Sequence, residues 1–234
     1  GRRVGLETGD PCSFNTYDDL YAAFIKQLHY FVDMKVRVSN YIDRMFAKYA
    51  PAPFLSLFID DCISKGKDYY NCGPRYNTTY IQCTGLGTIT DSLSALKKHV
   101  FENRLVTMNE MLNAIDANFE NQEPLRLLIL NRTPFFGNDD DYADSIAVNV
   151  FNDLYDAIEG KPNTKGECFH LNMLSTTCHV YFGKVMGATP NGRLAGRAIS
   201  DGTSPSHGAD THGPSSVIKS LGKLDQVKSG GTLL

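Results

Sequence analysis

The chain has 234 residues, 42% of them hydrophobic, and a formal net charge of −3. That length supports a sizeable core, while the acidic balance and scattered Lys and Arg argue against a nucleic-acid surface. No run approaches the roughly 18 apolar residues that suggest a membrane span. No apolar stretch follows Gly1-Arg2-Arg3, so no secretory signal is expected. The cysteines (Cys12, Cys62, Cys72, Cys83, Cys168 and Cys178) show no Cys-x-x-Cys pairing. They read as free thiols in a reducing, cytoplasmic compartment.

Residues 16–62 read as helical. Thr16 followed by Asp19 has the form of a helix cap. Leu20, Phe24, Leu28, Phe31, Met34, Val38, Tyr41 and Met45 then recur at helical spacing until Ala50-Pro51 stops the run. Phe54 to Ile63 reads as a second helix closed by Gly66. Residues 78–101 read as strand, turn and helix: Thr79 to Thr84 is β-branched and aromatic, Gly85-Leu86-Gly87 turns, and a helix follows from Thr90. Helices are expected within 108–158 and a strand over 168–174. Gly, Pro, Ser, Thr and Asp dominate an irregular segment over 186–214, and a last helix is expected from Ser215 to Leu224. Long irregular segments in compact proteins are usually functional or covered. The pattern is α/β and helix-rich.

Several constellations carry competing readings. Gly85-Leu86-Gly87-Thr88-Ile89-Thr90, between strand and helix, has part of a dinucleotide fingerprint, whose glycines admit a pyrophosphate to a helix N-terminus. The third Gly is replaced by Thr90, so a plain strand-to-helix turn is the competing reading. Cys168, His170, Cys178 and His179 match no usual zinc spacing, and no metal site is expected. Asn138-Asp139-Asp140-Asp141 with Asp144 lacks the distal Glu of a calcium loop and reads as a helix cap. Asp60-Asp61 reads as a helix surface or salt-bridge site.

Taken in order, several segments resemble the pyruvate formate-lyase-like domain of the glycyl radical enzymes. Tyr76-Asn77-Thr78-Thr79-Tyr80-Ile81-Gln82 with Gly85 to Leu96 resembles its strand, glycine turn and DSL helix. Phe136-Gly137-Asn138-Asp139-Asp140-Asp141-Tyr142 resembles its FGNDDDY stretch, and Gly187-Ala188-Thr189-Pro190-Asn191-Gly192-Arg193 its GATPDGR. Asp201-Gly202, Ser204-Pro205-Ser206-His207-Gly208 and Gly230-Gly231-Thr232-Leu233-Leu234 are similar to further family motifs.

The resemblance implies part of a ten-stranded α/β barrel, its C-terminal half and incomplete, with residues 1–234 forming one partial domain. It implies a small-molecule substrate and a protein glycyl radical installed by a radical SAM activating enzyme. The catalytic Cys of the dehydratase-like members lies in Gly-Cys-Val-Glu, which none of the six cysteines has. The radical Gly lies in Arg-Val-Ser/Ala-Gly-Tyr. Arg37-Val38-Ser39-Asn40-Tyr41 imitates it, with Asn40 in place of Gly. The expectation is an internal fragment, inactive alone and with no catalytic residue or bound cofactor of its own. Its parent would be a dehydratase or lyase cleaving C–O or C–N bonds.

Thr176 matches a substrate-side Thr of the hydroxyproline dehydratase members, and the resemblance implies that Ser175 and Met173 of the same segment bind substrate with it. The competing reading of Thr176 is an ordinary strand-end residue. Exposed strand edges would favour a homodimer or self-association. The rival readings are a nucleotide-binding α/β domain and a radical-less structural paralogue.

Overall fold

The protein is seen in a computed structural model that describes residues 4–231. Helix α1 (Tyr17–Tyr49) runs for 33 residues from a reciprocal cap. Thr16 Oγ1 accepts the Asp19 N–H at 3.1 Å, and Asp19 Oδ2 accepts the Thr16 N–H at 3.0 Å. Each bond satisfies a donor that the first helical turn would otherwise leave open.

The helix has two apolar faces. Val32 and Val36 enter the core, with Tyr17, Tyr21, Phe24 and Leu28 packed against it. The C-terminal half of the stripe expected from the sequence points elsewhere: Phe31, Val38, Tyr41 and Met45 are 43%, 49%, 64% and 40% exposed.

The segment from Phe54 to Ile63 is not one helix. It forms two short ones, α2 (Pro53–Ser56) and α3 (Cys62–Lys65). Asp61 between them takes φ 75°, a left-handed conformation that interrupts a right-handed helix. Its carboxylate meets Arg75 Nη2 at 3.0 Å, with Asp60 3.7 Å from the same guanidinium.

Strand β1 (Thr79–Gln82) and strand β2 (Phe169–Asn172) pair in parallel, Thr79 opposite Phe169 and Gln82 opposite Asn172. Parallel strands need a long crossover. Here it contains α4 (Leu86–Ala95), a π-helical turn over Leu96–Glu102, α5 (Met108–Asp116), α6 (Glu123–Arg132) and α7 (Asp141–Ile158). Beyond β2 come α8 (Cys178–Val185) and α9 (Pro214–Gly222).

Alternation along the strands sends Ile81, Phe169, Leu171 and Met173 into one core with Leu86 and Leu93 of α4 and Ile146, Val150 and Phe151 of α7. The opposite sheet face is open, with Tyr80 47% exposed. The outer edge of β2 is paired: Gly230 N–H donates to Leu171 O at 2.9 Å, and Met173 N–H donates to Gly231 O at 3.0 Å.

Residues 186–213 form no helix or strand, yet much of this segment is fixed. Ser200 N–H donates to Thr88 Oγ1 at 2.8 Å, and Thr88 N–H donates to Ser200 Oγ at 3.0 Å. Gly87 makes that approach possible, because a Cβ there would lie 2.7 Å from Ser204 O and 2.8 Å from Ser206 N.

One turn along α4 sits Asp91, fully buried, whose Oδ1 accepts the Phe136 N–H at 2.8 Å. Burial pushes its pKa up to about 7, a rise partly offset by the Ser206 hydroxyl and the Phe136 amide. On α7 Asp144, also fully buried, accepts Ser220 Oγ at 2.9 Å and Lys223 Nζ at 2.7 Å, which fastens α9 to α7. Asp140 caps α7 by accepting the Tyr142 N–H at 2.9 Å.

Two outcomes follow for stability. Gly87→Ala should destabilise the chain by about 1–3 kcal/mol through backbone overlap, read as a lower urea midpoint; an unchanged midpoint would refute the close approach. Asp91 binds its proton more tightly when folded than when unfolded. Its contribution to stability should therefore be greatest at pH values below the ordinary carboxylate range and fall as pH rises toward about 7. Asp91→Asn, which keeps an acceptor for Phe136 N–H, should flatten that part of the stability–pH curve. Equal slopes for the two proteins would show that Asp91 is not its source.

Candidate functional site

In parallel α/β sheets, ligands collect beyond the C-terminal ends of the strands, where loops diverge. Here those ends are Gln82-Cys83-Thr84 after β1 and Met173 to Thr176 after β2. Gln82 Nε2 donates to Leu174 O, tying the two ends together. Thr84 Oγ1 donates to Ser200 O at 3.1 Å, so the irregular segment closes over them.

The expected substrate-side residues separate in this geometry. The Met173 side chain is fully buried in the hydrophobic core on the helix-covered face of the sheet. Strand alternation turns it to that face, where it packs. Ser175 and Thr176 lie past the last strand residue and are half-buried, with Ser175 beside Gly202.

Thr176 is held through its backbone. Its N–H donates to Asp201 Oδ1 at 3.1 Å, and its carbonyl oxygen accepts from His179 Nδ1 at 2.7 Å. His179 Nδ1 is 3.4 Å from Asp201 Oδ1. Thr176 Oγ1 accepts the Cys178 N–H at 3.4 Å, at the start of α8. In that bond the hydroxyl uses its oxygen as acceptor, and a hydroxyl also carries a proton that it can donate.

Nothing in the spacing of the sequence joins Thr176 to Asp201. The signal that was present is that Asp201 opens the motif Asp-Gly-Thr-Ser-Pro within the irregular segment.

Two cavities flank this segment. One, of about 660 Å³, is lined by His179, Asp201, Ser204, Ser206, His207 and Asp210 among others. A larger one, of about 1000 Å³, includes Asp91, Arg126, Asn138, Arg193 and His212 in its wall. Thr176 lines neither of them.

The N-terminus of α4 is not open to a phosphate. Thr88 N–H is committed to Ser200 Oγ, and residues 204–206 occupy the space that Gly87 leaves. The dinucleotide reading of Gly85-Leu86-Gly87 is therefore corrected: the glycine admits the chain's own backbone.

Among the described residues no group of three or more His, Cys, Asp or Glu is arranged to hold a metal ion. His170 Nδ1 instead lies 2.7 Å from Glu159 Oε1. Asn40 Nδ2, in the Arg-Val-Ser-Asn-Tyr segment of α1, donates to Pro162 O at 3.1 Å. Burial pushes the Cys83 thiol up to about 11, so it stays protonated near neutral pH. The cysteines are free thiols, and no helix among the described residues is long and apolar enough to cross a membrane.

Comparison with known proteins gives this geometry its context. The chain is 51% identical over 233 residues to trans-4-hydroxy-L-proline dehydratase of Clostridioides difficile, covering 100% of this chain and 30% of that protein. It is 38% identical over 221 residues to isethionate sulfite-lyase of Nitratidesulfovibrio vulgaris, covering 93% of this chain and 26% of the relative. The crystal structure of the Clostridioides difficile hydroxyproline dehydratase with trans-4-hydroxy-L-proline bound superposes with a TM-score of 0.94 at 52% identity, over 98% of this chain and 29% of that one. A glycyl radical enzyme from Archaeoglobus fulgidus superposes with a TM-score of 0.90 at 33% identity, over 97% of this chain and 29% of that chain. The chain thus spans about 30% of the length of the curated relatives it matches. Its helix-rich α/β fold is that of part of a glycyl radical enzyme barrel. The pyruvate formate lyase-like family model matches residues 1–183. With most of the chain inside that match, and the fold shared over nearly all of it, this chain belongs to the pyruvate formate lyase-like family.

Proposed function

We propose that these residues form part of the substrate-enclosing wall of a larger glycyl radical lyase, one that removes a hydroxyl or amine from a small substrate. The observation that carries this reading is the 51% identity to a trans-4-hydroxy-L-proline dehydratase over the whole chain. A protein glycyl radical, installed by a radical SAM activating enzyme, supplies hydrogen abstraction through a cysteine thiyl. No cysteine here stands in the Gly-Cys-Val-Glu context, and the Arg37 to Tyr41 segment, which only imitates the radical motif, has Asn40 in place of Gly and lies inside α1. The contribution of this stretch is to bind and orient substrate, and alone it is inactive.

Thr176 is its substrate contact, with Ser175 beside it. The support is chemical: a half-buried hydroxyl beyond a strand end, able to donate as well as accept, suits a substrate carboxylate or hydroxyl. Free thiols suit a reducing cytoplasm. Val180, Tyr181 and Val185 of α8 are 47%, 68% and 83% exposed, and with the open stripe of α1 they form apolar surface that would drive association of the isolated chain.

The test is turnover by the full-length, radical-loaded protein. Trans-4-hydroxy-L-proline should be consumed, and Thr176→Val should lower kcat/KM by about tenfold or more, the cost of one well-placed hydrogen bond. No turnover by the wild type across small hydroxylated and aminated substrates would favour a radical-less structural paralogue instead. Residues 1–234 alone should show no turnover. In sedimentation they should run heavier than a monomer, and a clean monomer at high concentration would refute the association.

A further inference from the structure

Resting on the assignment of Thr176 to the substrate, we propose that Asp201 and His179 are positioning residues that clamp the Thr176 peptide and so aim its hydroxyl.

The need for a clamp follows from the local backbone. Residues 174–176 have left β2 and have not yet entered α8, so neither ladder nor helix bonds hold them. A hydroxyl on such a segment would sample several directions. Directed binding requires one, set within a fraction of an ångström.

The structure supplies both missing backbone bonds from side chains. Asp201 Oδ1 takes the Thr176 N–H at 3.1 Å, and His179 Nδ1 meets the Thr176 carbonyl oxygen at 2.7 Å. The clamping groups are themselves 3.4 Å apart, which closes a triangle around one residue. Only a protonated Nδ1 can donate to a carbonyl, and a carboxylate at that distance favours the proton there.

Both arms are anchored. Asp201 follows Ser200, which exchanges a pair of hydrogen bonds with Thr88 of α4. The His179 ring stands edge-on to His207, with centroids 5.8 Å apart and planes at 79°. Their side chains are only 15% exposed for His179 and 23% for Asp201, so water competes poorly for these bonds.

A merely structural role would predict the same contacts, so the test must read the Thr176 hydroxyl itself. In the full-length, radical-loaded enzyme with trans-4-hydroxy-L-proline, Asp201→Ala and His179→Ala should each lower kcat/KM by about tenfold, mainly through KM. Radical content by electron paramagnetic resonance should be unchanged. Asp201→Asn keeps an acceptor for the Thr176 N–H and His179→Asn keeps a donor near the Nδ1 position, so both should recover most of the loss. In a Thr176→Val background, Asp201→Ala should add less than about twofold, because residues acting through one group are non-additive. Independent, multiplying effects of Asp201→Ala and Thr176→Val would overturn the proposal, as would Asn variants no better than Ala.

Hydrogen exchange at the Thr176 amide separates this outcome from failure of the functional reading. If the wild type turns over no such substrate, that reading fails and the clamp is judged on exchange. At least about tenfold faster exchange in Asp201→Ala but not in Asp201→Asn upholds the clamp. Unchanged exchange in Asp201→Ala refutes it.

Discussion

The arrangement depends on two backbones meeting at Gly87. The first turn of α4 and the segment over residues 200–206 come close enough that no side chain fits between them. The contact is sealed by the reciprocal bonds of Thr88 and Ser200. The run from Asp201 to Ser206 inherits its position from this junction. Asp201 is the next residue after the seal, and Ser206 is carried to Asp91 by the same run of chain. An irregular segment becomes a rigid one here without forming a helix or strand. Its polar groups are answered by helix and strand-end side chains.

Buried carboxyls then join the layers that apolar packing alone would leave free to slide. Asp91 reaches from α4 to the turn before α7, and Asp144 reaches from α7 to α9. Apolar contact is tolerant of small translations, whereas a hydrogen bond is not. The two acids solve their burial differently. Asp144 has a lysine amine and a serine hydroxyl on one oxygen. Asp91 is met by two neutral donors, the Phe136 amide and the Ser206 hydroxyl, and its proton affinity rises instead.

Much of this was legible in the sequence where a local rule governs. Thr16 with Asp19 and the acidic run at Asp140 are caps, and α1 and α7 begin where those residues stand. The β-branched run after Thr78 is a strand for the same reason. What escaped was set by distant partners. Asp61 interrupts a helical pattern through its backbone angle, with Arg75 fourteen positions on as its partner. Met173 packs in the core with α4 and α7 residues far from it in the chain. Gly87 looked like a phosphate-binding glycine because the same small size serves any close visitor, and the visitor here lies more than a hundred residues later. The Asp201–Thr176 contact spans 25 residues with no periodicity to announce it.

Helix α1 carries an implication for sequence variation. An ordinary surface helix has one face where substitutions are nearly silent. Along its C-terminal half, α1 has apolar side chains on both the core side and the outward side, with Val36 on the first and Tyr41 and Met45 on the second. Exposed Lys35, Arg37, Arg44 and Lys48 are interleaved with those apolar side chains. A polar replacement on the outward face would cost little within these 234 residues, yet it would matter in any assembly that covers that face. Variation measured on this stretch by itself would thus overstate how freely α1 can drift.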